Sequence, residues 1–406
     1  MKKDENGQMA LEDLVILDLT RVLAGPFCTM MLADLGARVI KIEIPGTGDD
    51  TRQYPPFRQL KNGRESLYFA NINRNKRGVT LNLKTEKGRE IFKKLALRAD
   101  VVIENYRPGV MEKLGLGYEE VLQKLNPRLI YAAISGFGSY GPYKNRPGYD
   151  ILAQAMGGMM AITGPAGGGP TRAGSALGDI LGGLHGAIGI LAAIHARTRT
   201  GKGQRVGISL MDCVIAATEN TAIKYLESGV IPPRMGNRYA SVSPYDAFCC
   251  RDGMLIIAAG NQKLFEKLCR DILKRPELIA DARFTDMPGR LKNQDDLQKI
   301  IEDFLKDYTV AEAEKLLLEN GIPAGPILDI SQILENEQVK AREMFQEMDH
   351  PTLGRMTVNG CAVKLADTRP RIRRAAPALG QDNEEVFGAL GYGREAILAL
   401  AGEKII

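Results

Sequence analysis

LVILDLTRVLAGPFCTMMLADLGARVIKIE, residues 14–43, runs from a β-rich apolar segment through a helical one into a second strand. The strand signals fall at 14–19 and 38–44 and the helix at 26–36. Alternation returns with a strand at 78–83, a helix at 85–98 and a strand at 101–104, then a helix at 118–125 and a strand at 129–135. Strands separated by helices predict a parallel sheet with helices on its faces. The expected fold class is therefore α/β, with a Rossmann-like large domain.

Further along, TGKGQ at 200–204 turns the chain into a strand at 205–209, and a helix follows to about residue 227. Pro232, Pro233, Gly236 and Pro244 mark 231–244 as loop. A strand at 254–258 then opens a mostly helical region, with helices at 262–273, 294–306 and 310–319. This shift predicts a large domain over 1–229 and a smaller α/β domain over 230–330. Residues 331–406 read as a linker and a C-terminal part returning to the large domain, with a strand at 357–365 and helix over 382–401.

Composition narrows the function. The chain has 406 residues and a net charge of +5, a mild excess that suits a small anionic ligand. No Lys/Arg stripe or aromatic platform supports a nucleic-acid partner. Three histidines, at 185, 195 and 350, do not make a metal site, and six scattered cysteines form no CxxC pair. The leading segment MKKDENGQMALED has no apolar core, so no secretory signal is expected and a cytoplasmic location follows. The apolar run 180–194 is short for a bilayer span. Its glycines 182, 183, 186 and 189 suit close packing, which predicts a buried helix and no membrane partner.

Asp179 is the only acidic or basic side chain between Ala173 and Ile194 apart from His185. A buried carboxylate needs a partner or a purpose. It caps the helix 180–197, meets a cation, or sits where a substrate reaches it. Ligands of open α/β sheets bind beyond the carboxyl ends of the strands. The loop there, residues 20–26, is not GxGxxG, although Glu43 stands where a dinucleotide fold keeps its ribose-binding acid, so NAD is not expected. Gly136, Gly138 and Gly141 do match GxGxxG, but Pro142 follows and no helix starts there. Polar groups gather at Asn73, Asn75, Lys76 and Arg77, and again at Glu104, Asn105, Tyr106 and Arg107. They are either solvated loop residues or donors for a phosphorylated ligand.

Residues 17–43, NRNKRGVTLNLKTEKG (73–88), ADVVIENYRPGVMEKLGLGYE (99–119), NPRLIYAAISGFGSYGPY (126–143), TGKGQRVGISLMD (200–212) and LGQDNEEVFGALGYGREAI (379–397) resemble, in order and spacing, the class III CoA-transferases. This CaiB/BaiF family includes formyl-CoA transferase, carnitine CoA-transferase and the α-methylacyl-CoA racemases. The resemblance implies that Asp179 is the nucleophile, passing through a mixed anhydride and an aspartyl-CoA thioester as CoA moves from an acyl-CoA donor to a free carboxylic acid. An ordinary carboxyl pKa near ~3.9 would keep it ionised at neutral pH without a general base. CoA contacts are implied at Val22, Ala24, Asn73, Arg74, Asn75, Lys76, Asn105, Tyr106, Arg107, Lys113 and Tyr149. CoA enters as a substrate, with no permanently bound cofactor and no metal. An interlocked homodimer is also implied.

Two departures from formyl-CoA transferase, Leu23 for its Gln and the missing glycine run in 234–244, argue against formyl-CoA and oxalate, while Ile44 for its Arg puts an adenine or phosphate contact there in doubt. Arg21, Arg52, Arg146 and Arg238 are either candidates for holding a second carboxylate, as a succinyl-CoA donor would require, or surface or dimer-interface residues. Racemases of this fold carry His before the Asp of the segment preceding the glycine-rich helix, and here the pair is Tyr149 and Asp150. Racemization is thus the alternative activity, and a non-catalytic CoA-binding protein the alternative from another class.

Overall fold

A computed structural model describes residues 8–61 and 63–406, so residues 1–7 of the leading segment lie outside the described residues. The main strands are β1 (Val15–Asp18), β2 (Arg38–Glu43), then, after a hairpin of β3 (Phe57–Leu60) and β4 (Gly63–Ser66), β5 (Lys76–Thr80), β6 (Val101–Glu104), β7 (Ile130–Ser135) and β8 (Arg205–Ser209). They form a six-stranded parallel sheet in the order β5-β2-β1-β6-β7-β8. The chain builds outward from β1 to one edge, then returns to its other side, which opens a crevice between β1 and β6 at their carboxyl ends. Ile16, Leu17, Val102 and Ile130 are wholly buried, as a sheet covered on both faces requires.

The helices are α1 (Ala24–Asp34), α2 (Leu67–Ile72), α3 (Glu86–Ala96), α4 (Val110–Lys113), α5 (Gln123–Leu125), α6 (Asp150–Met156), α7 (Met159–Ile162), α8 (Leu177–Thr200), α9 (Leu210–Ala216) and α10 (Asn220–Ser228). The chain divides into two compact units. One comprises described residues to 159 with 172–223 and 339–406; the other comprises 160–171 and 224–338. The second unit has a three-stranded antiparallel sheet of β9 (Tyr245–Cys249), β10 (Met254–Ala258) and β11 (Ala324–Pro326). Around it lie α11 (Gln262–Lys267), α12 (Met287–Lys292), α13 (Gln294–Leu305) and α14 (Val310–Glu319), over a core that includes Phe248, Phe265 and Phe284.

Four expectations are corrected. The third sheet strand lies at 76–80, not 78–83, so Lys76 is inside the sheet and residues 81–84 lie beyond its carboxyl end. The helix expected to run to residue 227 breaks between α9 and α10, where Glu219 takes φ 48°. The late strand lies at Gly354–Asn359 and pairs with Phe345–His350 in a hairpin that the alternation did not reveal. Finally, α8 is not buried all round. Its glycine face is pressed so tightly that a Cβ on Gly183 would meet the Ala24 carbonyl oxygen at 2.7 Å. Its other face exposes Leu184 and Ile188. By length and composition α8 is the one described helix apolar enough to cross a membrane.

The C-terminal return has a physical role. Asp382 accepts the Gly78 N–H at 2.7 Å and Asn383 accepts that of Thr80 at 2.9 Å, covering the edge strand β5.

Candidate active site

A cavity of about 820 Å³ opens at the carboxyl ends of the sheet strands. Each loop contributes a wall. Residues 21–24 follow β1, Glu43 ends β2 and Ile44 follows it, 81–84 follow β5, 105–108 follow β6, and Ser135 ends β7 with Gly136 after it. Asp50, Asp179, Leu210 and the segment Arg146 to Tyr149 also line it. Gly136 and Gly148 touch through their backbones, a Cβ on either falling 2.5 Å from the other's Cα. The glycines at 136–141 therefore serve the fold-back that carries Arg146 and Tyr149 to the cavity.

Asp179 is not an N-cap. The cap position of α8 is Ala176, and Asp179 is the third helical residue. The capping acceptor comes from another helix: Asp150 on α6, buried, takes the Gly178 N–H at 2.7 Å. Gln154, fully buried, donates to both Asp150 oxygens and accepts the Ala173 N–H at 2.9 Å. With that role filled, the Asp179 carboxylate is left to face the cavity.

Burial, and then the Asp150 charge, push the Asp179 carboxyl up to about 7. This corrects the expectation of an ordinary carboxylate, fully ionised at neutral pH. A carboxyl group is an effective nucleophile only when ionised, so if Asp179 is the attacking group kcat/KM is expected to rise with pH, pass half its plateau near pH 7 and level off above it. A pH–rate profile that stays flat from pH 5 to 9 would contradict this.

The polar run 73–76 goes elsewhere. Asn73, Arg74, Asn75 and Lys76 are all nearly or wholly inaccessible, and none lines the cavity. Arg74 pairs with Asp34 at 2.7 Å, and Asn75 donates to the same Asp34. Lys76 donates to Asp18 at 3.1 Å, to the Asn73 side chain and to the Pro26 carbonyl. Lys41, also inaccessible, binds Asp49 at 2.8 Å and the Thr20 carbonyl at 2.9 Å. Burial alone would push the Asp18 carboxyl up, but Lys76, Lys41 and the hydroxyls of Thr20 and Thr29 outweigh it and hold the group at about 2.

These buried charges grip the loop that lines the cavity. Thr20 and Pro26 are held by the two lysines, and Asp49 accepts the Val22 N–H at 3.2 Å. Asn105 brackets Arg21, accepting its N–H at 2.8 Å and donating to its carbonyl at 2.7 Å. Val22 sits at φ 68°, a conformation that costs a β-branched residue and persists only where neighbours impose it.

Of the remaining expected contacts, Val22, Ala24, Asn105, Tyr106, Arg107 and Tyr149 line the cavity, and Lys113 does not. Lys113 is exposed on α4. Glu43 reaches the wall but is clamped by Arg52 through two bonds of 2.8 and 2.7 Å, which occupies both groups. Arg238 is held by Asp246 and Asp295 in the second unit. Sequence reasoning missed Leu81 to Lys84. The signal was a strand that ends at Thr80, hidden because Leu81 and Leu83 prolong its apolar alternation.

The profile of CoA-transferase family III matches residues 11–383. The chain belongs to that family. It is similar to the mouse protein named succinyl-CoA:glutarate CoA-transferase, 40% identical over 407 residues, covering 100% of this chain and 92% of the relative. It is also similar to succinyl-CoA:mesaconate CoA-transferase of Haloarcula marismortui, 41% identical, covering 94% of this chain and 96% of the relative. A solved structure of a CAIB/BAIF family protein from Brucella suis superposes with a TM-score of 0.82 at 38% identity, covering 95% of this chain and all of that one. The protein is thus an enzyme, a CoA-transferase.

Proposed function

We propose that this transferase moves CoA from a dicarboxylyl-CoA donor, such as succinyl-CoA, to a free carboxylic acid through covalent intermediates on Asp179. One observation carries the reading: Asp179 faces the cavity that the five strand-end loops enclose. Its carboxylate attacks the thioester carbonyl, expelling CoA thiolate and forming a mixed anhydride. The thiolate attacks the aspartyl carbonyl and releases the first acid, leaving an aspartyl-CoA thioester. The second acid repeats the two steps in reverse, so the bond energy of the thioester is exchanged rather than lost to water. CoA would lie along Val22, Ala24, Asn105 and Tyr106, with the exposed cations Lys84 and Arg107 meeting its phosphates. Arg74 and Lys76 would act from beneath, as the frame of the first loop.

The assembly belongs to the same proposal. Leu184 and Ile188 on α8, Ile151 and Met156 on α6 and Ile223 on α10 leave apolar surface exposed that a second copy, in an interlocked homodimer, would cover. A cytoplasmic setting fits six free thiols. Racemization needs a proton carrier where Tyr149 stands, and no histidine is among the cavity-lining residues. Incubation with an acyl-CoA and a labelled acid in deuterated water separates the activities. Exchange of label into the thioester without deuterium at the α-carbon is expected; deuterium incorporation without an acceptor acid would favour the racemase.

A further inference from the structure

A dicarboxylyl group anchored at Asp179 brings a second carboxylate into the cavity, and a buried anion without a partner is costly. The lining supplies four cations: Arg21, Lys84, Arg107 and Arg146. Arg52 and Arg238 are removed from consideration by their carboxylates. Lys84 and Arg107 are exposed and suit the solvated phosphates of CoA, and Arg146 stacks on Tyr143 with its guanidinium 3.7 Å from the ring centre.

Arg21 differs from these three. Its backbone is fixed on both sides by Asn105 and adjoins the strained Val22, so its Cα has little freedom. Its guanidinium lies 5.9 Å from the Tyr106 ring centre, and its acidic partner is Asp50, at 3.5 Å with both side chains about half exposed. Such a pair contributes little and is readily exchanged for another carboxylate.

The surroundings link Arg21 to the nucleophile. Arg21 and Asp50 both act on the Tyr54 hydroxyl. Tyr54 packs edge-on against Tyr68, with ring centres 6.1 Å apart. Burial, and then the Asp179 charge, push the Tyr68 hydroxyl up to about 12. Arg21, whose present partner is weakly held, and Asp179 line the same cavity.

We propose that Arg21 is the specificity-determining residue of this transferase, receiving the far carboxylate of a dicarboxylic substrate in exchange for Asp50. The inference rests on Asp179 being the reacting group. The physical reason is charge: a bidentate guanidinium–carboxylate contact replaces a solvated ion pair as the substrate seals the site.

The test compares glutaryl-CoA with valeryl-CoA, equal in carbon count and differing in the far carboxylate, as donors to one fixed acceptor acid. Taking the ratio of the two kcat/KM values cancels any effect on that acceptor. Wild-type enzyme is expected to favour glutaryl-CoA, and Arg21→Met to lower the ratio by about 100-fold. Arg146→Met is expected to leave the ratio within about threefold, because that cation is assigned to neither acid. Should Arg21→Met fail to fold, Arg21→Gln serves in its place. A ratio unchanged in a folded Arg21 variant overturns the assignment, as does a collapse of the ratio in Arg146→Met alone. Substantial exchange by Asp179→Asn would instead defeat the reading of Asp179 as the reacting group, on which the assignment rests.

Discussion

Asp179→Asn is expected to reduce CoA exchange by about 10⁴-fold or more, the scale on which loss of a covalent nucleophile is felt, with CoA affinity held within about threefold. The amide keeps the shape and the place on α8 but cannot form an anhydride. Wild-type enzyme quenched during turnover should carry acyl or CoA mass on the peptide containing Asp179, and hydroxylamine should inactivate it; the variant should show neither. Substantial exchange by the variant would remove Asp179 from the mechanism.

The same substitution tests the electrostatics. The folded-state acidity of Asp179 lies near 7, against 3.8 for the ordinary group. Between those values the unfolded chain is ionised while the native side chain holds its proton. Stability is therefore lost as pH rises through that window, and the full cost persists above it. Asparagine abolishes the cost, so the variant should be more stable than wild type at pH 8, by on the order of 1–3 kcal/mol after allowance for cavity solvent, and no more stable at pH 3. Denaturant titrations at the two pH values read this directly. Equal curves at pH 8 would mean that the carboxylate is not destabilised as the structure requires.

Lys76→Met is expected to lower folding stability by about 3–5 kcal/mol, because it leaves the Asp18 carboxylate in a wholly buried setting without its ion-pair partner. The change also removes the donors to Asn73 and to the Pro26 carbonyl. Adding Asp18→Asn neutralises the stranded charge, and the double variant should regain at least half of the loss. CoA affinity per folded molecule should fall far less than stability does. Urea denaturation of the two variants measures the coupling. A single variant as stable as wild type, or a double variant showing simple additivity, would mean that the charges are not the pair that holds this loop.

Lys76 also shows where the sequence misled. Two lysines, two arginines and two asparagines at 73–77 and 84 look alike as a string of polar groups near a strand end. Which of them face ligand depends on where β5 begins, and the alternation of Val79, Leu81 and Leu83 shifts that boundary by two residues. The shift turns Lys76 inward to Asp18 and puts Leu81 to Lys84 on the cavity wall. Glu43 was likewise legible as the acid that ends β2, but its engagement by Arg52, nine positions away, was not. The lone Asp179 was legible because a carboxylate among glycines and aliphatics stands out. That Asp150, from another helix, takes over the capping and makes Asp179 a weaker acid could not be read from spacing.

Periodicity along the chain determined the parallel sheet, the order in which strands and helices follow one another, and the glycine-rich helix with a single acid near its start. These are local matters, since each depends on which side chains alternate or repeat within a few turns. The tertiary structure alone decided which charges are buried in pairs, which loops meet to enclose the cavity, and how acidic Asp179 is. Those properties arise between residues distant in sequence, where burial removes water and makes each charge depend on whatever neighbour the fold places beside it.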